Sequence, residues 1–231
     1  MPTPKPIVIL TRPKRQSIEF ASALLADGFD GKILISPVIQ VVPQAVTIDP
    51  DEVSGVIFTS LNAVRYSPVL DVPAWCVGDR TASEAQRAGW STQSAQGDAE
   101  ALLKLIKEQA PKGPLLHFRG AHSRGKLAQR LSASGIMTRE VVTYQQIAQD
   151  LTSEASAALI GEVPVIVPLF SPRSAGIFST QGPFSAPIHL ILMSDAVSKE
   201  IVDLDLRSRL IVSVPTATAM LEGIQSLIDA A

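Results

Sequence analysis

The sequence has little from which a metal or redox centre could be built. Cys76 is its only cysteine, which excludes an intrachain disulfide and any thiolate cluster for zinc or iron and sulfur. Its apolar neighbours make it a core thiol. The three histidines, His117, His122 and His189, are scattered, and His189 falls inside an apolar strand pattern, so no metal is expected. No run of about 18 apolar residues occurs, which excludes a membrane-spanning helix. Met1 to Pro6 lead straight into a β-type run without the apolar region or cleavage site of a signal peptide, and a cytoplasmic location is expected. Neither Gly-x-Gly-x-x-Gly nor a phosphate loop ending in Gly-Lys-Ser/Thr is present, which disfavours a flavin or nucleotide enzyme. Charge of one sign is lacking too: 20 basic and 22 acidic residues leave a net charge of -2, so no nucleic-acid partner is expected.

What remains is an ordinary globular composition, 231 residues with 46% hydrophobic and 18% charged, enough for one large or two small domains. Its organising stretch is Val56-Ile57-Phe58-Thr59-Ser60-Leu61-Asn62-Ala63-Val64, an apolar strand that stops at hydroxyls and an amide where a helix begins. The same order returns in Val165 to Ala175, with Phe170-Ser171-Pro172-Arg173-Ser174 at the junction. Each copy precedes a second strand-to-helix junction, at Val77-Gly78-Asp79-Arg80-Thr81 and at Met193-Ser194-Asp195. Two similar α/β halves follow. The first N–H groups of a helix lack intrahelical partners and lie at the positive end of its dipole, so such turns attract anions. In an open parallel sheet they lie at the carboxyl ends of the strands, where ligands bind.

Along the chain, Ile7–Leu10 reads as a strand and Ser17 to Asp27 as a helix with Ile18, Phe20, Ala21, Leu24 and Leu25 inward. Strands are expected at 56–59, 75–77, 115–118, 164–169, 188–193 and 210–214. Helices are expected at 61–66, 81–88, 98–108, 124–134, 152–160, from 173, at 194–202 and at 216–228. Arg119-Gly120 reads as a turn. Two segments, near 38–46 and 138–147, are too long and extended for ordinary strands, and paired together they would form a two-stranded bridge. The expected architecture is α/β: two parallel-sheet domains, one inserted in the other. The first is discontinuous, from 1–36 and 149–231. Residues 37–47 and 137–148 bridge, and 48–136 form the insert. The lack of a large amphipathic surface stripe points to a monomer.

These stretches together resemble the uroporphyrinogen-III synthase family. The resemblance runs the whole length in order: Leu10-Thr11-Arg12-Pro13, Phe58 to Val64, Val77 to Ala82, Gly97 to Leu103, Arg119-Gly120 with Arg124, Tyr144-Gln145, Phe170 to Ala175, Ser194 to Val197 and Pro215 to Leu221. It implies two flavodoxin-like domains joined by a two-stranded β ladder, with the active site in the cleft. It further implies a cofactor-free lyase that closes hydroxymethylbilane, a linear tetrapyrrole with eight carboxylates, to uroporphyrinogen III. Transient contact with hydroxymethylbilane synthase is the partner it suggests. Tyr144 matches a family tyrosine proposed to help the hydroxyl leave; a phenol, with an ordinary pKa of about 10, can donate a proton. A tyrosine in a strand also simply fills space.

For substrate binding the candidates are Arg12, Ser60, Asn62, Gly78, Thr81, Arg119, Gly120, Ser171, Arg173, Ser174 and Ser194. The hydroxyls and amides suit carboxylates or cap helices, or do both, and guanidinium pairs bidentately with carboxylate. The rival reading is a non-catalytic two-domain hinge protein that binds a small polyanion.

Overall fold

The computed structural model describes residues 4–122 and 125–229. In order, the elements are β1 (Ile7–Leu10), α1 (Lys14–Ala26), β2 (Ile33–Ile35), β3 (Ile39–Pro43), β4 (Gly55–Phe58), α2 (Leu61–Tyr66), β5 (Pro73–Cys76), α3 (Asp79–Arg87), β6 (Ser91–Ser94) and α4 (Ala99–Gln109). They continue as β7 (Leu115–Gly120), α5 (Leu127–Ala133), β8 (Thr138–Ala148), α6 (Ser153–Leu159), β9 (Val165–Leu169), α7 (Pro172–Ser179), β10 (Ile188–Leu192), α8 (Asp195–Ser198), β11 (Ser208–Ile211) and α9 (Ala217–Asp229). Among the described residues, no helix is long and apolar enough to cross a membrane.

The chain forms two compact units, Met1–Gln40 with Ile147–Ala231, and Val41–Gln146. In the first, a five-stranded sheet runs β11-β10-β9-β1-β2, with parallel neighbours throughout. Alternation along each strand fills both faces. Ile9, Val165, Val167, Leu190 and Leu192 pack with Leu159 of α6 and Phe178 of α7. Val8, Leu10, Ile166 and Ile191 pack with Phe20 and Leu24 of α1 and Met220 and Ile224 of α9. Burying each such side chain stabilises by about 1.5–3 kcal/mol before entropy is charged.

The second unit holds a six-stranded sheet, β3-β8-β7-β4-β5-β6. Val56, Phe58, Leu116 and Phe118 pack with Val64 of α2 and Ala85 of α3 on one face. Ile57, Trp75 and Leu115 pack with Leu102 and Ile106 of α4 and Leu131 of α5 on the other. The chain enters this unit along β3 and leaves it along β8. These are the two overlong segments, and they are neighbours in the sheet. β8 also runs parallel to β7, from Leu115↔Thr138 to Gly120↔Tyr144, so most of what reads as a free bridge is a sheet strand.

Several boundaries differ from expectation, each for a local reason. Helix α1 starts at Lys14, after Pro13 rather than at Ser17, since proline's fixed φ suits a helix entrance. Its buried stripe is Ser17, Phe20 and Leu24, at i, i+3 and i+7, which turns Ile18 and Leu25 outward to 47% and 57% exposure. Arg119 and Gly120 belong to β7 instead of a turn, because the ladder to β8 continues through a bulge there. The short α8 stops at Ser198, well before Val202. β11 begins at Ser208 rather than 210, and the polar edge strand β6 was not anticipated. Arg124 lies outside the described residues.

Candidate functional site

In each sheet the strand order reverses once, between β1 and β9 in the first unit and between β4 and β7 in the second. Strand ends diverge at such a switch point and leave a crevice at their carboxyl edge. The residues singled out in the sequence stand along these edges, each set in its own unit.

At the second unit's switch point the extended run of β4 ends in Thr59 and Ser60. Ser60 caps α2: its backbone is extended, and its Oγ accepts the N–H of Ala63 at 3.1 Å. The same Oγ lies 3.1 Å from the hydroxyl of Tyr144, 84 residues later on β8. Gly120 makes this meeting possible. A Cβ at Gly120 would fall 2.6 Å from Cε2 and Cζ of the Tyr144 ring, so only a residue without a side chain lets the ring lie against β7. Tyr66 flanks the ring at 6.2 Å between centroids, and Tyr144 is 7% exposed. Asn62, half-buried, stands in the first turn of α2.

The other candidates of this unit are placed differently. Gly78 caps α3, its carbonyl accepting from the N–H groups of Thr81 and Ala82 at 3.0 Å each. Thr81 itself is turned inward, 6% exposed. The guanidinium of Arg119 pairs with Glu140 at 2.7 Å and donates to the carbonyls of Gly120 and Ala121 at 2.9 and 3.2 Å.

Sequence reasoning gave His117 no role, yet it links these elements. Buried in the middle of β7, its Nε2 is 3.1 Å from Thr59 Oγ1, and its Nδ1 is 4.0 Å from Glu140 Oε1. Burial holds its pKa down at about 4, with Glu140 opposing the shift and Arg119 adding to it. The imidazole is therefore neutral at pH 7. Thr59, His117 and Glu140 are 58 and 23 residues apart, so only the β4–β7–β8 register brings them together. The pattern Leu-Leu-His-Phe at a central strand was the available signal: a polar residue pointing to a buried face needs a partner.

At the first unit's switch point Arg12 follows β1 and lies with Cζ 4.1 Å from the centroid of Phe170, the last residue before the β9–α7 turn. Phe20 braces that ring edge-on at 5.0 Å. Such a cation over a ring face is worth about 0.5–1 kcal/mol when exposed, and it fixes the guanidinium beside the α7 entrance. Ser171 caps α7, accepting from the N–H of Ser174 at 3.2 Å and donating to its hydroxyl at 2.9 Å. Arg173 lies in the first turn of α7, and Ser194 precedes the single turn of α8 without capping it through its side chain. Two hollows elsewhere, of about 530 and 220 Å³, open near His189 and Arg207 and near Asp49 and Arg139. The first lies at the amino ends of β9 to β11, away from the switch point.

The profile of the protein family described as uroporphyrinogen-III synthase HemD matches residues 19–222. The chain belongs to the uroporphyrinogen-III synthase family. Among solved structures, it is similar to the uroporphyrinogen-III synthetase of Helicobacter pylori, with a TM-score of 0.67 and 19% identity over 96% of this chain and 99% of that one. It is also similar to a mutant uroporphyrinogen III synthase of Thermus thermophilus, with a TM-score of 0.52 and 12% identity over 98% of this chain and 100% of that one. At these identities the likeness establishes the fold. No curated protein sequence matches the chain. The synthase family thus supplies the frame in which the Ser60–Tyr144 pair and the Arg12–Phe170 pair stand at the switch points of this chain.

Proposed function

We propose that the chain cyclises hydroxymethylbilane to uroporphyrinogen III with loss of water and inversion of the last pyrrole ring. Family membership supports the reaction. The observation that carries the reading to particular residues is the hydroxyl pair Ser60–Tyr144 at the second unit's switch point. With Ser60 Oγ–H directed at the phenol oxygen, the phenol proton is left to donate. Its acceptor is the hydroxyl leaving the hydroxymethyl carbon, and loss of water gives an electrophilic azafulvene. The last ring attacks through its substituted carbon, and the spiro intermediate fragments and recloses with the ring turned over.

Hydroxymethylbilane also closes unaided, to the symmetric type I isomer. The protein's task is therefore one of orientation more than of acid strength, and orientation alone supplies several kcal/mol. Arg12, Ser60, Asn62, Gly78, Arg119, Ser171, Arg173 and Ser194 hold carboxylates through side chains and turn amides, whereas Ser174, 5% exposed and bonded to Ser171 through both its N–H and its hydroxyl, serves the start of α7. Gly120 serves Tyr144 instead of touching substrate, and Thr81, turned inward, serves its helix. The protein acts as a cytoplasmic monomer. It receives the bilane by transient contact with hydroxymethylbilane synthase, since delay would release the wrong isomer.

Purified protein supplied with enzymically made hydroxymethylbilane should yield the type III isomer. Only type I product, at the uncatalysed rate, would leave the hinge-type binding protein as the better reading. Tyr144→Phe should lower kcat by about tenfold to a hundredfold, toward the lower range of general-acid help. Unchanged turnover would remove the phenol from the mechanism.

A further inference from the structure

Every polar group assigned above to the second unit's crevice can donate a hydrogen bond, whereas the ligand carries donors of its own in its pyrrole N–H groups. Thr59 is the exception. It is half-buried at the end of β4, directly before Ser60, and its hydroxyl meets Nε2 of His117 at 3.1 Å. A neutral imidazole carries one N–H and one bare nitrogen, and its surroundings choose between them. Among the described residues Nδ1 has no hydrogen-bond partner, and it faces the Glu140 carboxylate at 4.0 Å. A lone pair pointed at that carboxylate would be repelled, while an N–H there is attracted. Arg119, 2.7 Å from the other carboxylate oxygen, fixes that carboxylate in place. The proton therefore sits on Nδ1, Nε2 accepts, and Thr59 spends its only proton on His117.

We infer that Thr59 presents bare lone pairs to the crevice and accepts a hydrogen bond from a pyrrole-type N–H of the ligand, with His117 as the residue that positions it. An acceptor with no proton to spare, set next to carboxylate-binding donors, distinguishes the nitrogen side of a pyrrole ring from its acidic side. It thereby reads which way a ring is turned. A carboxylate placed there would meet two repelling lone pairs. The inference rests on the proposed function for the identity of the ligand, but the state of His117 does not depend on it.

Two measurements test it. Nitrogen-15 NMR of the labelled wild-type protein at pH 7 should show His117 protonated at Nδ1 and bare at Nε2; the opposite tautomer would overturn the inference without any variant having to fold. Thr59→Val keeps the shape and removes the acceptor. It should lower kcat/KM for hydroxymethylbilane about tenfold, the scale of one buried hydrogen bond, and raise the share of type I isomer. Thr59→Ser, which retains the oxygen, should recover most of the loss. A valine variant as efficient and as selective as wild type would sink the proposal. Should wild type itself form no type III isomer, the reading of the function fails separately. The deciding comparison is then bilane affinity, and equal affinity for valine variant and wild type would reject the subsite.

Discussion

His117 is 3% exposed, and the carboxylate nearest it is already paired with Arg119, so an imidazolium would gain too little there to offset the loss of water. The folded protein keeps it neutral down to about pH 4, whereas the unfolded chain takes up a proton below about 6.5. Between those values the unfolded state binds more protons. Stability is then complete above the unfolded value and declines as pH falls toward 4, by about 3 kcal/mol in all. Asp30, Asp98 and Glu100 also have lowered values. They begin to lose stability only near or below their ordinary pKa of about 4, mostly under this window. Urea midpoints recorded from pH 7 to 4 should therefore fall for wild type and fall less for His117→Gln, which can still bond to Thr59; the remaining slope belongs to His189, whose pKa burial and Arg207 also hold down. Parallel curves for the two proteins would mean that the histidine titrates alike in the folded and unfolded states.

The β7–β8 ladder shows how an element can carry a site without touching the ligand. Its register slips between Arg119 and Gly120, and the missing Cβ at Gly120 is what admits the Tyr144 ring. Gly120→Ala places a methyl within a bond length or two of that ring, so either the ring leaves Ser60 or the bulge opens. Overpacking of this kind costs about 1–3 kcal/mol. The expected phenotype is a modest loss of stability together with the turnover of Tyr144→Phe. A variant with normal turnover would show that the phenol works from another position. Gly120 was singled out from the sequence as a ligand contact, and its service to Tyr144 was not legible, because the neighbour it yields to is 24 residues on. Apolar runs such as Val-Ile-Phe in β4 or Val-Ile-Val in β9 announce buried parallel strands by themselves, and Ser60, Asp98, Thr152 and Ser171 cap helices where their spacing says they should. β6, Ser-Thr-Gln-Ser, is a strand only because β5 offers it an edge. The Thr59–His117–Glu140 contact is likewise set by register, which no local pattern encodes.

At the scale of the whole molecule, each unit closes its own cores. The clusters around Ile9 and Val8 draw on residues of the first, and those around Val56 and Ile57 on residues of the second. Within the first unit, the N–H of Gln149 donates to the carbonyl of Val38 at 2.9 Å, so the ends at Gln40 and Ile147 lie close enough for a few glycine and serine residues to join them. We propose that the two units are independent folding domains. A chain with residues 41–146 replaced by such a linker, and the fragment 41–146 alone, should each unfold in one cooperative urea transition, with m of about 1–3 kcal/mol/M. A fragment cut at 48–136 tests where the boundary lies. It discards β8, and with it the ladder along β7 and Tyr144 from the core cluster around Val56. β7 would become an exposed, unpaired edge. That fragment should melt without a sharp transition, and if it proved as cooperative as 41–146, β8 would be a connector between domains and no part of the second one's fold.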